Sequence, residues 1–289
     1  MDIVNFWAIA GFLLASYSVI ANDSIQTLGT FIASNRESIH WKILWLFGAS
    51  IFSIVVVYGW LTYGGDISYG RLTRIDYIEP QWYHAVAPAI LLILTRFGVP
   101  VSTTFLVFSV FASSVILEKV LIKSVVGYSV AAVSAYLIWI VISSFIDEKE
   151  DKVRPENIKY WRVAQWTTSA YLWFAWLQHD LANIAVYLPR QLSLPLLIGV
   201  VLIGICFLGF IFYSGGGRIQ KIVLNKTGSR YLRSTSIIDV IYATILFFFK
   251  ELNDLPMSTT WVFVGLCLLY TSPSPRDQRG ISYAVVCLK

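Results

Sequence analysis

The chain has 289 residues, 57% of them hydrophobic and 13% charged, and a mean hydropathy of +0.67. Charge at about half of the roughly 25% usual for soluble domains excludes a soluble globular protein and predicts an all-α integral membrane protein. The net charge of +5 lies on loop Lys and Arg, so it reports membrane topology rather than nucleic-acid binding.

Four charge-free runs, Ile3–Asn22, Ile43–Gly65, Ser124–Ile146 and Gln191–Gly217, meet the helical spanning length of about 20 residues. Alternating strand patterns of the barrel kind are absent. Asp2 stands where a signal peptide would be basic, so Met1 is expected to open the mature chain. The first apolar segment, Ile3 to Ala33, is longer than one span and contains Asn22 and Asp23. It is therefore expected to tilt, break or unwind there. After a polar turn, Ser34 to His40, the run Ile43–Tyr63 forms a span. Trp41, Trp45, Trp60 and Tyr63 lie toward its ends, as interfacial aromatics would. Gly64 to Pro80 carries Asp66, Arg71, Arg74, Asp76 and Glu79 and reads as an aqueous loop.

Gln81 to Leu117 reads as a re-entrant hairpin, two helical arms around Gly98 and Pro100, followed by a polar break at Glu118–Lys123 and a span to Ile146. The charged stretch Asp147–Arg162 divides the chain in two. Trp161, Trp166, Trp173 and Trp176 crowd the next helix as packing and interface aromatics. Ser214–Thr235 holds five basic residues and no acid, against two basic residues in Gly64–Pro80, which assigns the former to the cytoplasm. Three spans plus one hairpin per half is an odd number of crossings, so the halves are expected to be inverted. The linker is then cytoplasmic and the N-terminus external.

Two motifs recur at one spacing. Asn22-Asp23-Ser24-Ile25-Gln26 pairs with His179-Asp180-Leu181-Ala182-Asn183, and Pro100-Val101-Ser102-Thr103-Thr104 pairs with Pro256-Met257-Ser258-Thr259-Thr260. Asp23 and Asp180 lie 157 residues apart, Ser102 and Ser258 156 apart. A carboxylate inside a span costs about 2.5 to 3.5 kcal/mol to insert, and each half carries one. With Asn22, Gln26, Asn183 and the carbonyls of an unwound turn, Asp23 and Asp180 are expected to cage a hard cation such as Na⁺. Proline followed by hydroxyl residues is a helix start, where free amide hydrogens and the helix dipole attract an oxyanion. Ser102, Thr103, Thr104, Ser258, Thr259 and Thr260 are thus the candidate substrate ligands.

His179 beside Asp180 is either a buried polar residue in an Asn site or a proton relay; His40 and His84 lie at loop edges and carry no signal. Cys206, Cys267 and Cys287 have no paired or metal-ligand spacing and read as packing residues. No catalytic triad, zinc spacing or phosphate-cradling Gly-rich loop is present, so an enzyme on phosphate esters is not expected and no cofactor is required beyond the coupling ion.

Up to Leu266 the sequence resembles the inorganic phosphate transporter (PiT) family, whose halves each carry a G-A-N-D-x-x-N-x-x-G-like stretch and a P-V-S-T-T-H stretch. Ala21-Asn22-Asp23, Gly29 and Thr30 match in the first half, with Gln26 in place of the second Asn. Asp180, Ala182 and Asn183 match in the second, with His179 for Asn and Val186-Tyr187 for Gly-Pro. Phe105 and Trp261 replace the His after each S-T-T. The resemblance implies two inverted repeats around a central anion held by both S-T-T hairpins, Na⁺ or H⁺ coupling through the two Asp regions, and a multi-pass protein of the inner (plasma) membrane. Phosphate is the expected substrate, with sulfate its rival; a homodimer is left open. Gln26, His179, Phe105 and Trp261 also suit a transport-inactive oxyanion sensor or partner subunit. The resulting division is 1–146 for the first repeat, 147–162 for a cytoplasmic linker and 163–266 for a second, truncated repeat. The tail 267–289 begins Cys267-Leu268-Leu269-Tyr270-Thr271-Ser272-Pro273-Ser274-Pro275-Arg276-Asp277 and resembles translated sequencing-adapter sequence rather than native protein.

Overall fold

The computed structural model describes residues 5–97, 101–145, 157–215, 232–252 and 254–271. Gly98, Val99 and Pro100, most of the charged linker, most of the basic loop and the tail beyond Thr271 lie outside the described residues.

Helix α1 (Phe6–Asn35) starts where the Asn5 side chain accepts from the Ala8 backbone N–H at 2.7 Å, satisfying one orphan amide of the first turn. At 1.5 Å per residue its 30 residues extend roughly 45 Å, so it crosses a roughly 30 Å hydrocarbon core only when tilted. It runs unbroken through Asn22 and Asp23, so the expected break or unwinding is absent: Asn22 and Gln26 close onto the Asp23 carboxylate, and Asn22 also donates to the Val101 carbonyl.

Helix α2 (Trp41–Thr62) packs on α7 (Leu194–Ser214), and both α1 and α2 pack on α6 (Ile158–Ala185). Stretches of α1, α2 and α7 are, among the described residues, long and apolar enough to cross a membrane. Trp45 and Trp60 do more than mark interfaces. Their indole N–H groups donate to the Ile205 and Leu192 carbonyls at 3.0 and 2.8 Å, clipping α2 to α7 and its leading loop. Trp173 and Trp176 stack face to face in the core at 5.1 Å, and Trp173 donates to the Gly48 carbonyl of α2. Where α1 ends and α6 begins, Asn35 accepts from Arg162 at 2.6 Å and donates to Gln165 at 3.0 Å. The end of the predicted linker is thus the first turn of α6.

The first hairpin is lopsided. A 3-10 turn at Trp82–Ala85 leads into α3 (Val86–Arg96), but the second arm, α4 (Thr103–Phe108), has only 6 residues. After it α5 (Ser114–Phe145) runs straight through the expected polar break at Glu118–Lys123. That break does not form because Lys123 is buried and its Nζ donates to the Leu255 carbonyl at 2.8 Å. In the second half α8 (Leu232–Leu252) lies on α6, and α9 (Thr259–Thr271) lies on α5. The α5–α9 contact is tight at Gly265, where a Cβ would stand 2.6 Å from the Tyr128 carbonyl oxygen.

Residues 63–80 also depart from expectation. The segment is irregular, but Ile67, Ser68, Tyr69, Arg71, Leu72 and Ile75 are buried. Asp66 organises it, its carboxylate accepting from the Ser68 and Gly70 amides at 2.7 and 3.0 Å, as an Asx turn does. Instead of hanging in water, the loop folds back onto α6 and the second S-T-T turn.

Candidate functional site

Ser102 and Ser258 are N-caps, and for the same local reason: each hydroxyl oxygen accepts from the amide three residues on, Phe105 N–H and Trp261 N–H, both at 3.3 Å. These caps bring the two S-T-T turns to one place. The Ser102 hydroxyl donates to Ser258 Oγ at 2.8 Å. Next to it the turns exchange bonds reciprocally. Thr104 Oγ1 donates to the Met257 carbonyl at 3.2 Å, and Thr260 Oγ1 donates to the Val101 carbonyl at 3.3 Å. Phe105 and Trp261 also meet, with ring centroids 5.4 Å apart. Two helix starts separated by 156 residues therefore share one polar centre.

The aspartate motifs flank this centre from α1 and α6. Asp23 Oδ1 accepts from Asn22 and, at 3.5 Å, from Gln26; Asn22 also donates to the Val101 carbonyl at 2.9 Å. On α6, Asp180 Oδ1 accepts from Asn183 at 2.6 Å and lies 3.3 Å from Thr104 Oγ1, competing with the Met257 carbonyl for its one hydrogen. Asn183 donates in addition to the Thr103 and Thr104 hydroxyls. The second aspartate motif is thus tied to the first hairpin. Both aspartate motifs therefore border the joined turns, the first through Asn22 on the Val101 carbonyl and the second through Asn183 on the Thr103 and Thr104 hydroxyls.

All of these groups are buried, and several oxygens have no partner: Asn22 Oδ1, Asp23 Oδ2 and Gln26 Oε1 on α1, and Gln178 Oε1, Asp180 Oδ2 and Asn183 Oδ1 on α6. A buried acceptor left unpaired costs about 1 to 3 kcal/mol, more when charged. Five of these acceptors lie on the aspartates and the amides beside them, Asn22, Asp23, Gln26, Asp180 and Asn183, a donor set of the kind that suits a hard cation; Gln178 has its side chain at Tyr69. Both helices are continuous at the aspartates, so the unwound carbonyls expected there are absent.

Among the candidate anion ligands, Thr259 is buried beside the Asp180 carboxylate. Thr104 and Thr260 spend their hydroxyl hydrogens on the opposite turn, and Thr103 accepts from Asn183. His179, standing in sequence where the first half has Asn22, does not copy it: its Nε2 pairs with the Leu246 carbonyl of α8 at 2.7 Å. His84, expected to carry no signal, is buried, closing a capping box with Gln81 and stacking on Phe111 at 4.3 Å.

Sequence reasoning gave no role to Arg71 and Lys123, nor to Gln178, which opens the second aspartate motif. Lys123 carried the available signal, a lone cation within Val120-Leu121-Ile122 and Ser124-Val125-Val126. An intramembrane charge is by default a site candidate.

No protein family matches the sequence, and no curated protein does. The fold does match a solved structure. It is similar to that of "The sodium-dependent phosphate transporter", with a TM-score of 0.64, 18% identity and coverage of 100% of this chain and 94% of that one. The chain is an all-α membrane protein, and this likeness establishes its fold.

Proposed function

We propose that this protein is a secondary active transporter that carries inorganic phosphate across a membrane together with Na⁺, by alternating access. The observation that supports it best is the set of five unpartnered buried oxygens on Asn22, Asp23, Gln26, Asp180 and Asn183, whose helices flank the joined S-T-T turns. Three of the five belong to amides, which do not take up a proton at ordinary pH but do ligate a cation. Na⁺ therefore suits both kinds of oxygen, whereas H⁺ satisfies only the carboxylates.

In this mechanism Na⁺ binds first. Its charge offsets Asp23 and Asp180, so an anion can enter next to them. The oxyanion is held by Thr259, Thr103 and the helix-start amides, which act together with the positive helix ends. The reciprocal bonds between the turns supply the moving part, since the two hairpins share a centre built half from each. If the halves are inverted repeats, opening to either side is the same separation, seen from opposite ends. Weak oxyanion discrimination by neutral donors keeps sulfate as a competing substrate.

The test is equilibrium binding of labelled phosphate to the purified chain with Na⁺ varied. The proposal expects phosphate affinity to rise with Na⁺ and, by linkage, Na⁺ affinity to rise equally with phosphate. Phosphate affinity independent of Na⁺, or sulfate binding with no phosphate binding, would contradict it.

A further inference from the structure

Two basic residues that the transport cycle above does not use converge on the stretch that leads into the second S-T-T turn. Arg71, from residues 63–80, is 1% exposed. Its Nε donates to the Gln178 carbonyl at 2.7 Å and its Nη1 to the Leu255 carbonyl at 3.0 Å. Lys123 Nζ, from α5, donates to the same Leu255 carbonyl at 2.8 Å. Ser124, the next residue on α5, accepts from the Ser258 amide at 2.9 Å. Both basic residues therefore grip the short stretch that leads into Ser258 and Thr259.

Carbonyl partners do not neutralise a guanidinium. Asp180 and Asp254 act on Arg71 through space, with Glu251 beyond them. Among the described residues, none of these carboxylates forms a salt bridge with it. Burial pushes Arg71 down only to about 10, so it stays charged at neutral pH. Its Nη2 is buried and has no hydrogen-bond partner. A fully buried, charged donor left open requires something to receive it.

We propose that Arg71, with Lys123 beside it, is a charged subsite for the transported oxyanion, Arg71 Nη2 donating to an oxyanion oxygen next to the Leu255–Ser258 turn. The inference rests on the transport reading and deepens it by naming the substrate class. Hydroxyls and backbone amides bind tetrahedral anions with little regard to charge, whereas Arg71, with two arms of its fork held by carbonyls, offers one N–H and a fixed positive charge, which favours a doubly charged partner. The preferred substrates are tetrahedral dianions, hydrogenphosphate and sulfate, over monoanions such as nitrate.

The test compares wild type, Arg71→Gln, Arg71→Lys, Lys123→Gln and Thr259→Ala as purified full chains in saturating Na⁺. Binding of labelled phosphate and sulfate is measured, along with Na⁺ binding by tryptophan fluorescence without oxyanion. Arg71→Gln should weaken both oxyanions about tenfold or more, since one charge-assisted hydrogen bond is lost. Arg71→Lys should recover part of that, because it restores charge without the fork, and Lys123→Gln should weaken both oxyanions less than Arg71→Gln does. Na⁺ affinity should not fall in any of the three.

Wild-type oxyanion affinity in Arg71→Lys and Lys123→Gln, with Thr259→Ala impaired, would overturn the subsite and leave transport standing. That pair decides the matter even if Arg71→Gln does not fold. Lower thermal stability with unaltered oxyanion affinity would make Arg71 a brace for the loop. Wild type binding neither phosphate nor sulfate would defeat the transport reading, and this inference with it.

Discussion

The Ser102 hydroxyl donates to the Ser258 hydroxyl oxygen at 2.8 Å, joining two helix starts that lie 156 residues apart in sequence. Each serine also caps its own helix. Ser102→Ala and Ser258→Ala should each cost about 1 kcal/mol for the lost cap, plus a share of the common bond. Because the bond is shared, the double variant should depart from additivity by about 0.5 kcal/mol or more. Thermal unfolding of the two singles and the double, without oxyanion, measures this. Strict additivity would show that the turns are not energetically coupled.

The threonines separate binding from stability. Thr259 stands beside the Asp180 carboxylate and Thr103 beside Asp23, and Thr103 Oγ1 also accepts from Asn183 at 3.2 Å. Thr259→Ala should therefore destabilise the oxyanion-free protein less than Thr103→Ala, which should cost about 1 kcal/mol. Both should weaken phosphate by about 10- to 150-fold, the range for a hydrogen bond to a charged group. Phosphate binding and melting temperature, read on the same samples, check both halves. Equal melting losses with unaltered affinity would make both residues plain structural groups.

Much of this site was legible because cap chemistry is local. Ser after Pro, followed by two Thr, reports a helix start from four residues, and the equal spacing of two motifs showed that it occurs twice. What the sequence did not show depends on partners distant in the chain. A polar Asn-Asp pair in a span looks like a break, yet α1 stays helical because Asn22 and Gln26 close onto Asp23 and Asn22 finds the Val101 carbonyl. Arg71 sits among Asp66, Arg74 and Asp76 and so looks like a solvated loop cation. Only the tertiary fold places it on Gln178 and Leu255. The reciprocal Thr104 and Thr260 bonds were illegible for the same reason: each hydroxyl leaves its own turn for the other.

Close packing of α5 and α9 positions the second turn. At Gly265 an added methyl meets a backbone carbonyl, Tyr128 O, at 2.6 Å. Backbone yields less readily than a side chain, so Gly265→Ala should destabilise by about 1 to 3 kcal/mol, the usual range for overpacking. It should also loosen the Ser258 amide from Ser124 and weaken phosphate. Thermal stability and phosphate affinity should fall together; a fully stable Gly265→Ala would contradict the close approach.

Asp23 and Asp180 bear the central claim. A neutral amide keeps their shape but removes the cation's counter-charge, worth about 4 kcal/mol per charge at 4 Å for an effective dielectric near 20. The deciding measurement is uptake of labelled phosphate into proteoliposomes under an inward Na⁺ gradient, for wild type, Asp23→Asn and Asp180→Asn. Wild type should accumulate phosphate above equilibrium and lose it when the gradient is collapsed, and both variants should fold but fail to accumulate. Phosphate that binds to wild type but never accumulates with the gradient, or gradient-driven accumulation that survives in both variants, would contradict it.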